Sequence, residues 1–70
     1  MTDPVRVVLN GAAREVPEGA TVLSLLEGAG VDRRRCAVEV NREVVPKTRH
    51  AERLLVPGDR VEIVTMVGGG

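Results

Sequence analysis

Only one stretch of this chain repeats its apolar residues at a helical spacing, and that stretch is short. Val22, Leu25, Leu26 and Ala29 fall at i, i+3, i+4 and i+7, which defines one buried helical face. The remaining apolar residues come in brief β-branched runs separated by turn residues, the pattern of strands. A single helix cannot flank both faces of a sheet, so a doubly wound architecture is excluded. The chain is expected to be an α+β domain, a mixed sheet of four to five strands with one main helix packed across one face. Fourteen valines and no Phe, Tyr or Trp make the core aliphatic, and seventy residues hold one such core.

The punctuation places the elements. Val5 to Leu9 is followed by Asn10-Gly11, a strong signal for a type I′ hairpin because both central residues need positive φ, so Ala13 to Val16 is the return strand. Pro17-Glu18-Gly19-Ala20 interrupts it, and Thr21 is placed to cap a helix that ends near Ala29, with Gly30 in the left-handed position. Cys36 to Val40 reads as a third strand, and Asn41-Arg42 as a tight turn into Glu43-Val44-Val45, closed by Pro46. Lys47 to Arg53 is polar with room for a helical turn. Pro57-Gly58-Asp59 then turns the chain into a last strand from Arg60 to Val67. The first and last strands are the most apolar and are expected to pair in parallel at the centre of the sheet.

Strand alternation separates two faces. Val5, Val7, Leu9, Val61 and Ile63 are expected against the helix, which leaves Arg6, Val8, Arg60, Glu62, Val64 and Met66 on the open face. Val8, Val64 and Met66 there read either as ordinary exposed aliphatics or as a docking patch leading toward the end of the chain.

Charge narrows the partners. Ten Lys plus Arg balance ten Asp plus Glu, so the basic footprint of a nucleic-acid or anionic-membrane binder is missing, as are aromatic platforms for base stacking. A lone Cys36 closes no intrachain disulfide and reads as a small packed hydrophobe; the single His50 reads as a solvated loop residue, and no metal-ligand spacing exists. Arg33-Arg34-Arg35 reads as a solvated face. The first residues lack a signal-peptide pattern and no apolar run is long enough to span a bilayer, so a cytoplasmic, reduced protein is expected. No nucleophile and base stand out as a pair, which argues against an intrinsic enzyme.

Gly68-Gly69-Gly70 has no side chains, so any chemistry there must use backbone and a terminal carboxylate. Glycines keep a tail slim enough to thread a narrow channel, although a frayed or linker-like end has the same composition. The expected division is a domain over 1–67 and a flexible tail over 68–70.

Several segments together resemble the ThiS sulfur carriers, a ubiquitin-like β-grasp family. They are Val8-Leu9-Asn10-Gly11, the helix segment Ala20 to Leu26, Ala37 to Pro46, and Gly58 to Val64 before Val67-Gly68-Gly69-Gly70. The resemblance implies a carrier acted on by enzymes. An E1-like (ThiF-type) adenylyltransferase would use ATP and Mg to adenylate the Gly70 carboxylate. Sulfur derived from a cysteine desulfurase would displace AMP to leave a thiocarboxylate, and a ThiG-type thiazole synthase would accept the sulfur for the thiazole of thiamine. Gly68 and Gly69 would form the tail, Val8, Val64 and Met66 the docking face, and no cofactor would be bound intrinsically. The same chemistry serves carriers for molybdopterin, tRNA thiolation or cysteine synthesis, and a ubiquitin-like modifier is a further alternative. Related carriers often have an aromatic in the last strand or after the Val-Pro pair; this chain has none, which bears on the partner more than on the chemistry.

Overall fold

A computed structural model describes residues 3–66. Five strands and one helix follow in chain order: β1 (Val5–Leu9), β2 (Ala12–Val16), α1 (Val22–Gly28), β3 (Cys36–Val40), β4 (Glu43–Val45) and β5 (Arg60–Thr65), with 3-10 turns at Arg33–Arg35 and Lys47–Arg49. The sheet order is β2-β1-β5-β3-β4. β1 and β5 pair in parallel at its centre, through Val8 opposite Arg60 and Leu9 opposite Val61, and every other pairing is antiparallel. This is the mixed sheet with one covered face that a single helical period requires.

Local chemistry explains the boundaries. Asn10 and Gly11 take φ of 48° and 83°, and Asn41 and Arg42 take 54° and 70°, so both hairpins turn through paired left-handed residues. At the start of α1 the Thr21 hydroxyl accepts from Ser24 N–H, while the Ser24 hydroxyl accepts from Thr21 N–H, a reciprocal cap. At its end Gly30 sits at φ 72°, with Gly30 N–H donating to Glu27 C=O and Val31 N–H to Leu26 C=O. That pair of bonds is a Schellman ending, which stops the helix where the glycine was expected to stop it.

Val22, Leu25 and Leu26 of α1 are buried against Val5, Val7, Val38, Val40 and Val61 from the sheet, with Cys36, Val45 and Leu55 completing the core. Cys36 is packed, as its place at the start of a strand suggested. His50 is not: it is only 1% exposed, and the expectation of a solvated loop histidine is corrected. The 3-10 turn after Pro46 folds the ring inward, where Nε2 lies 3.0 Å from Val45 C=O and must carry the proton, because a carbonyl only accepts. The backbone carbonyl of His50 accepts from Leu23 N–H at 2.9 Å, tying this loop to α1. In a chain without Phe, Tyr or Trp, the imidazole is the one aromatic ring available to fill the core.

The expected last strand reached Val67; the described strand ends at Thr65. The expected boundary between domain and tail, and Gly68, Gly69 and Gly70 themselves, lie outside the described residues.

Candidate functional site

The candidate site is the open sheet face and the end of β5 that leads to the glycines. Register fixes its layout. Val44 on β4 lies opposite Glu39 on β3, Glu39 lies opposite Glu62 on β5, and Ala37 lies opposite Val64 one step further along. Val44, Val64 and Met66 are 69%, 61% and 58% exposed, large values for aliphatic side chains. Of the residues expected to form the patch, Val64 and Met66 fall close together. Val8 does not join them: it is half-buried and lies beside Arg60, so Arg60 and Glu62 separate it from Val64 along the same face of β5. Val44 and Ala37 are additional members that alternation within β5 alone could not reveal. The hairpin register between β3 and β4 supplies them.

The two ends of β5 are held differently. At its start Asp59, 4% exposed, accepts from Val56 N–H (2.9 Å), from Asn41 Nδ2 (2.9 Å) and from Arg53 Nη1 (3.3 Å). Burial pushes the Asp59 carboxyl up, but these three donors outweigh it and hold the group below its ordinary value. The Asn41 side-chain Oδ1 accepts in turn from Arg60 N–H, binding the β3–β4 turn to the first residue of the strand. Gly58 N–H donates to Arg6 C=O and Val8 N–H to Asp59 C=O, which locks the same point to β1.

Further along, β1 has already turned away, and the Asn10 side chain takes over its pairing role. Its Oδ1 accepts from Ile63 N–H at 2.8 Å and its Nδ2 donates to Ile63 C=O at 3.3 Å. Asn10 therefore acts as one more peptide unit of β1, a function hidden behind its obvious value as a turn residue. Past Ile63 the strand is paired only toward β3, where Cys36 lies opposite Thr65 and Met66 N–H donates to Arg35 C=O at 2.7 Å. The arginine run thus ends by anchoring the exit of β5 through its backbone.

Two surface grooves, of about 550 and 490 Å³, are lined by residues including Glu43, Arg49, Glu52 and Arg53 in one and Arg14, Glu15, Glu18 and Ser24 in the other. Neither contains the cysteine or the histidine. Among the described residues no group of three or more His, Cys, Asp or Glu could hold a metal ion. No helix in the described chain is long and apolar enough to cross a membrane.

Comparison with known proteins is consistent with this arrangement. The chain is 44% identical over 66 residues to a thiazole synthase of Paramagnetospirillum magneticum and 33% identical to one of Magnetococcus marinus, covering 94% of this chain and 20% of each of theirs. The chain therefore spans about a fifth of the length of these curated relatives. It is 26% identical to the sulfur carrier protein ThiS of Escherichia coli, covering 94% of this chain and all of that protein. The crystal structure of thiamine biosynthesis protein ThiS from Geobacter metallireducens superposes with a TM-score of 0.79 at 29% identity, covering 94% of this chain and 100% of that one. The ThiS family model matches residues 7–70, nearly the whole sequence and the three glycines with it, and the chain belongs to the ThiS family.

Proposed function

We propose that this chain is a cytoplasmic sulfur carrier of thiamine biosynthesis and a co-substrate, with no catalytic role of its own. The Gly70 carboxylate attacks ATP on an E1-like adenylyltransferase, with Mg bound by that enzyme, and pyrophosphate leaves. The resulting acyl-adenylate is a good electrophile, and a sulfur nucleophile displaces AMP to leave a C-terminal thiocarboxylate. Thiazole synthase takes that sulfur into the thiazole ring. Gly68 and Gly69 keep the tail slim as it enters each active site, and the exposed Val64 and Met66 at the end of β5 dock the domain.

The single observation that carries this reading is the family match running from β1 through the terminal glycines. Two thiazole synthases containing a stretch similar to this chain support thiazole synthase as the sulfur acceptor. The test is intact mass spectrometry after incubation with the host's E1-like enzyme, Mg-ATP and a sulfide source. Replacement of one oxygen by sulfur at the C-terminus is the expected result, lost on deletion of Gly70. An unchanged mass with a competent activating enzyme removes the carrier reading. Disruption of the gene should produce a thiamine requirement; one relieved by cysteine would redirect the sulfur to another acceptor.

A further inference from the structure

Both β-hairpins turn on an asparagine put to the same use. Asn10 and Asn41 sit at positive φ, and the Oδ1 of each accepts from a backbone N–H of β5, Asn10 from Ile63 and Asn41 from Arg60. They are also the only side-chain carboxamides in the sequence, which contains no glutamine. What differs is the residue that follows. Gly11 is exposed, and no heavy atom lies within 4 Å of the place a Cβ on it would occupy. Its N–H donates to no backbone carbonyl among the described residues. Asn41 is followed by Arg42, and a residue with a Cβ screens its own amide from the side chain before it. Asn41 Nδ2 is moreover held by the buried Asp59 carboxylate at 2.9 Å, whereas Asn10 Nδ2 reaches the Ile63 carbonyl at 3.3 Å.

We propose that Asn10 is a site of spontaneous deamidation, gated by its bonds to Ile63, whose product loosens the exit of β5. Solvent water is the co-reactant. The Gly11 amide nitrogen attacks Asn10 Cγ; a new Cγ–N bond forms, the Cγ–Nδ2 bond breaks, and ammonia leaves with the proton that the Gly11 amide gives up. Water then opens the succinimide ring at either carbonyl. Cleavage of the new Cγ–N bond leaves aspartate. Cleavage of the original peptide bond to Gly11 leaves isoaspartate, with the main chain lengthened by a methylene group. Attack requires the carboxamide to leave Ile63, so the reaction passes through local opening of an exposed side chain and not through unfolding.

Either product alters the clamp. Aspartate keeps an acceptor for Ile63 N–H but sets a carboxylate oxygen where Nδ2 donated, against the Ile63 carbonyl. Isoaspartate lengthens the turn and disturbs the register that the turn fixes. Both add a negative charge to a chain whose formal charge is zero. The inference concerns the folded domain and stands or falls independently of the carrier reading.

The test keeps the full chain native in mildly alkaline buffer made with heavy-oxygen water and maps its peptides by mass. Trypsin releases Asn10 within Val7–Arg14 and Asn41 within Cys36–Arg42. Labelled aspartate and isoaspartate should accumulate at residue 10, with residue 41 unchanged. Dissolved in urea, the chain should react about tenfold faster at residue 10, because the two hydrogen bonds no longer hold the carboxamide. Arg42→Gly supplies the missing glycine and should bring modification to residue 41, more slowly than at residue 10 because Asp59 retains its hold. Asn10→Asp, which makes one product directly, should lower the urea midpoint and speed exchange of the Ile63 amide.

A native chain that keeps Asn10 intact overturns the proposal, whether or not the urea-dissolved chain loses it. Equal rates in buffer and in urea remove the gate. Equal modification of Asn10 and Asn41 in the wild-type chain removes the part given to Gly11. An Asn10→Asp chain with the wild-type urea midpoint and Ile63 exchange removes the consequence for β5.

Discussion

The start and the end of β5 lie only a few residues apart, yet one is cross-linked to several other segments and the other is exposed. Asp59 is buried among Val56, Asn41 and Arg53, and its neighbours bind β1 and the β3–β4 turn to the same spot. Val64 and Met66 have a pairing strand on one side only and leave most of their side chains in water. The contrast separates two tasks within one strand. Rigidity is concentrated where the strand enters the sheet, and surface is left available where it leads out toward the tail.

The largest effect should come from breaking the rigid end. Asp59→Ala strands three donors in a buried setting and should cost about 3 kcal/mol in urea unfolding. Acid probes the same point. The Asp59 carboxyl is held below the ordinary aspartate range in the fold, so the stability it contributes is fully present above that range and is lost as pH falls through it. Asp59→Asn should therefore flatten the low-pH limb of the stability profile; an unaltered limb would transfer acid sensitivity to other carboxylates.

Asn10→Gly probes the transition between the two ends, because glycine keeps the positive φ while deleting the bonds to Ile63. It should cost about 1 kcal/mol and speed exchange of the Ile63 amide, and unaltered exchange would show that water replaces the side chain without loss. Arg42→Gly relieves a non-glycine residue at φ 70° and should stabilise by about 0.5–1 kcal/mol, measured as a higher urea midpoint. Val64→Ser should shift stability by less than about 0.5 kcal/mol while reducing thiolation. A large stability loss there would erase the distinction between the two ends.

Much of this was legible before any coordinates. The helix face, the Asn10-Gly11 hairpin and the helix stop at Gly30 follow from spacing and turn chemistry, which act over a few residues, and the parallel central pair from the apolarity of the first and last strands. What sequence hid depends on contacts between distant segments. Alternation placed Val8 on the correct face but could not show that the parallel register sets it beside Arg60, away from Val64. Glu39 and Glu62 each look like a solvated charge until the β3–β5 register makes them neighbours. His50 sits in a polar stretch, and only the 3-10 turn after Pro46 carries it into the core. Asn10 was legible as a turn residue but not as a partner for Ile63, fifty-three positions later.

The parallel pairing of Val8 with Arg60 and Leu9 with Val61 also bears on how the chain is made. Translation delivers β1 before the other strands and β5 after them, yet the two are adjacent at the middle of the sheet. Until Arg60 and the residues after it have been synthesised, β1 can form only its hairpin with β2, and β3 lacks the strand that joins it to that hairpin. Closing so long a loop is also the slow kind of folding step. A product truncated before residue 60 therefore has neither the five-stranded sheet nor the strand that leads to the glycines, and under the proposed function it would not compete with the 70-residue chain for an activating enzyme.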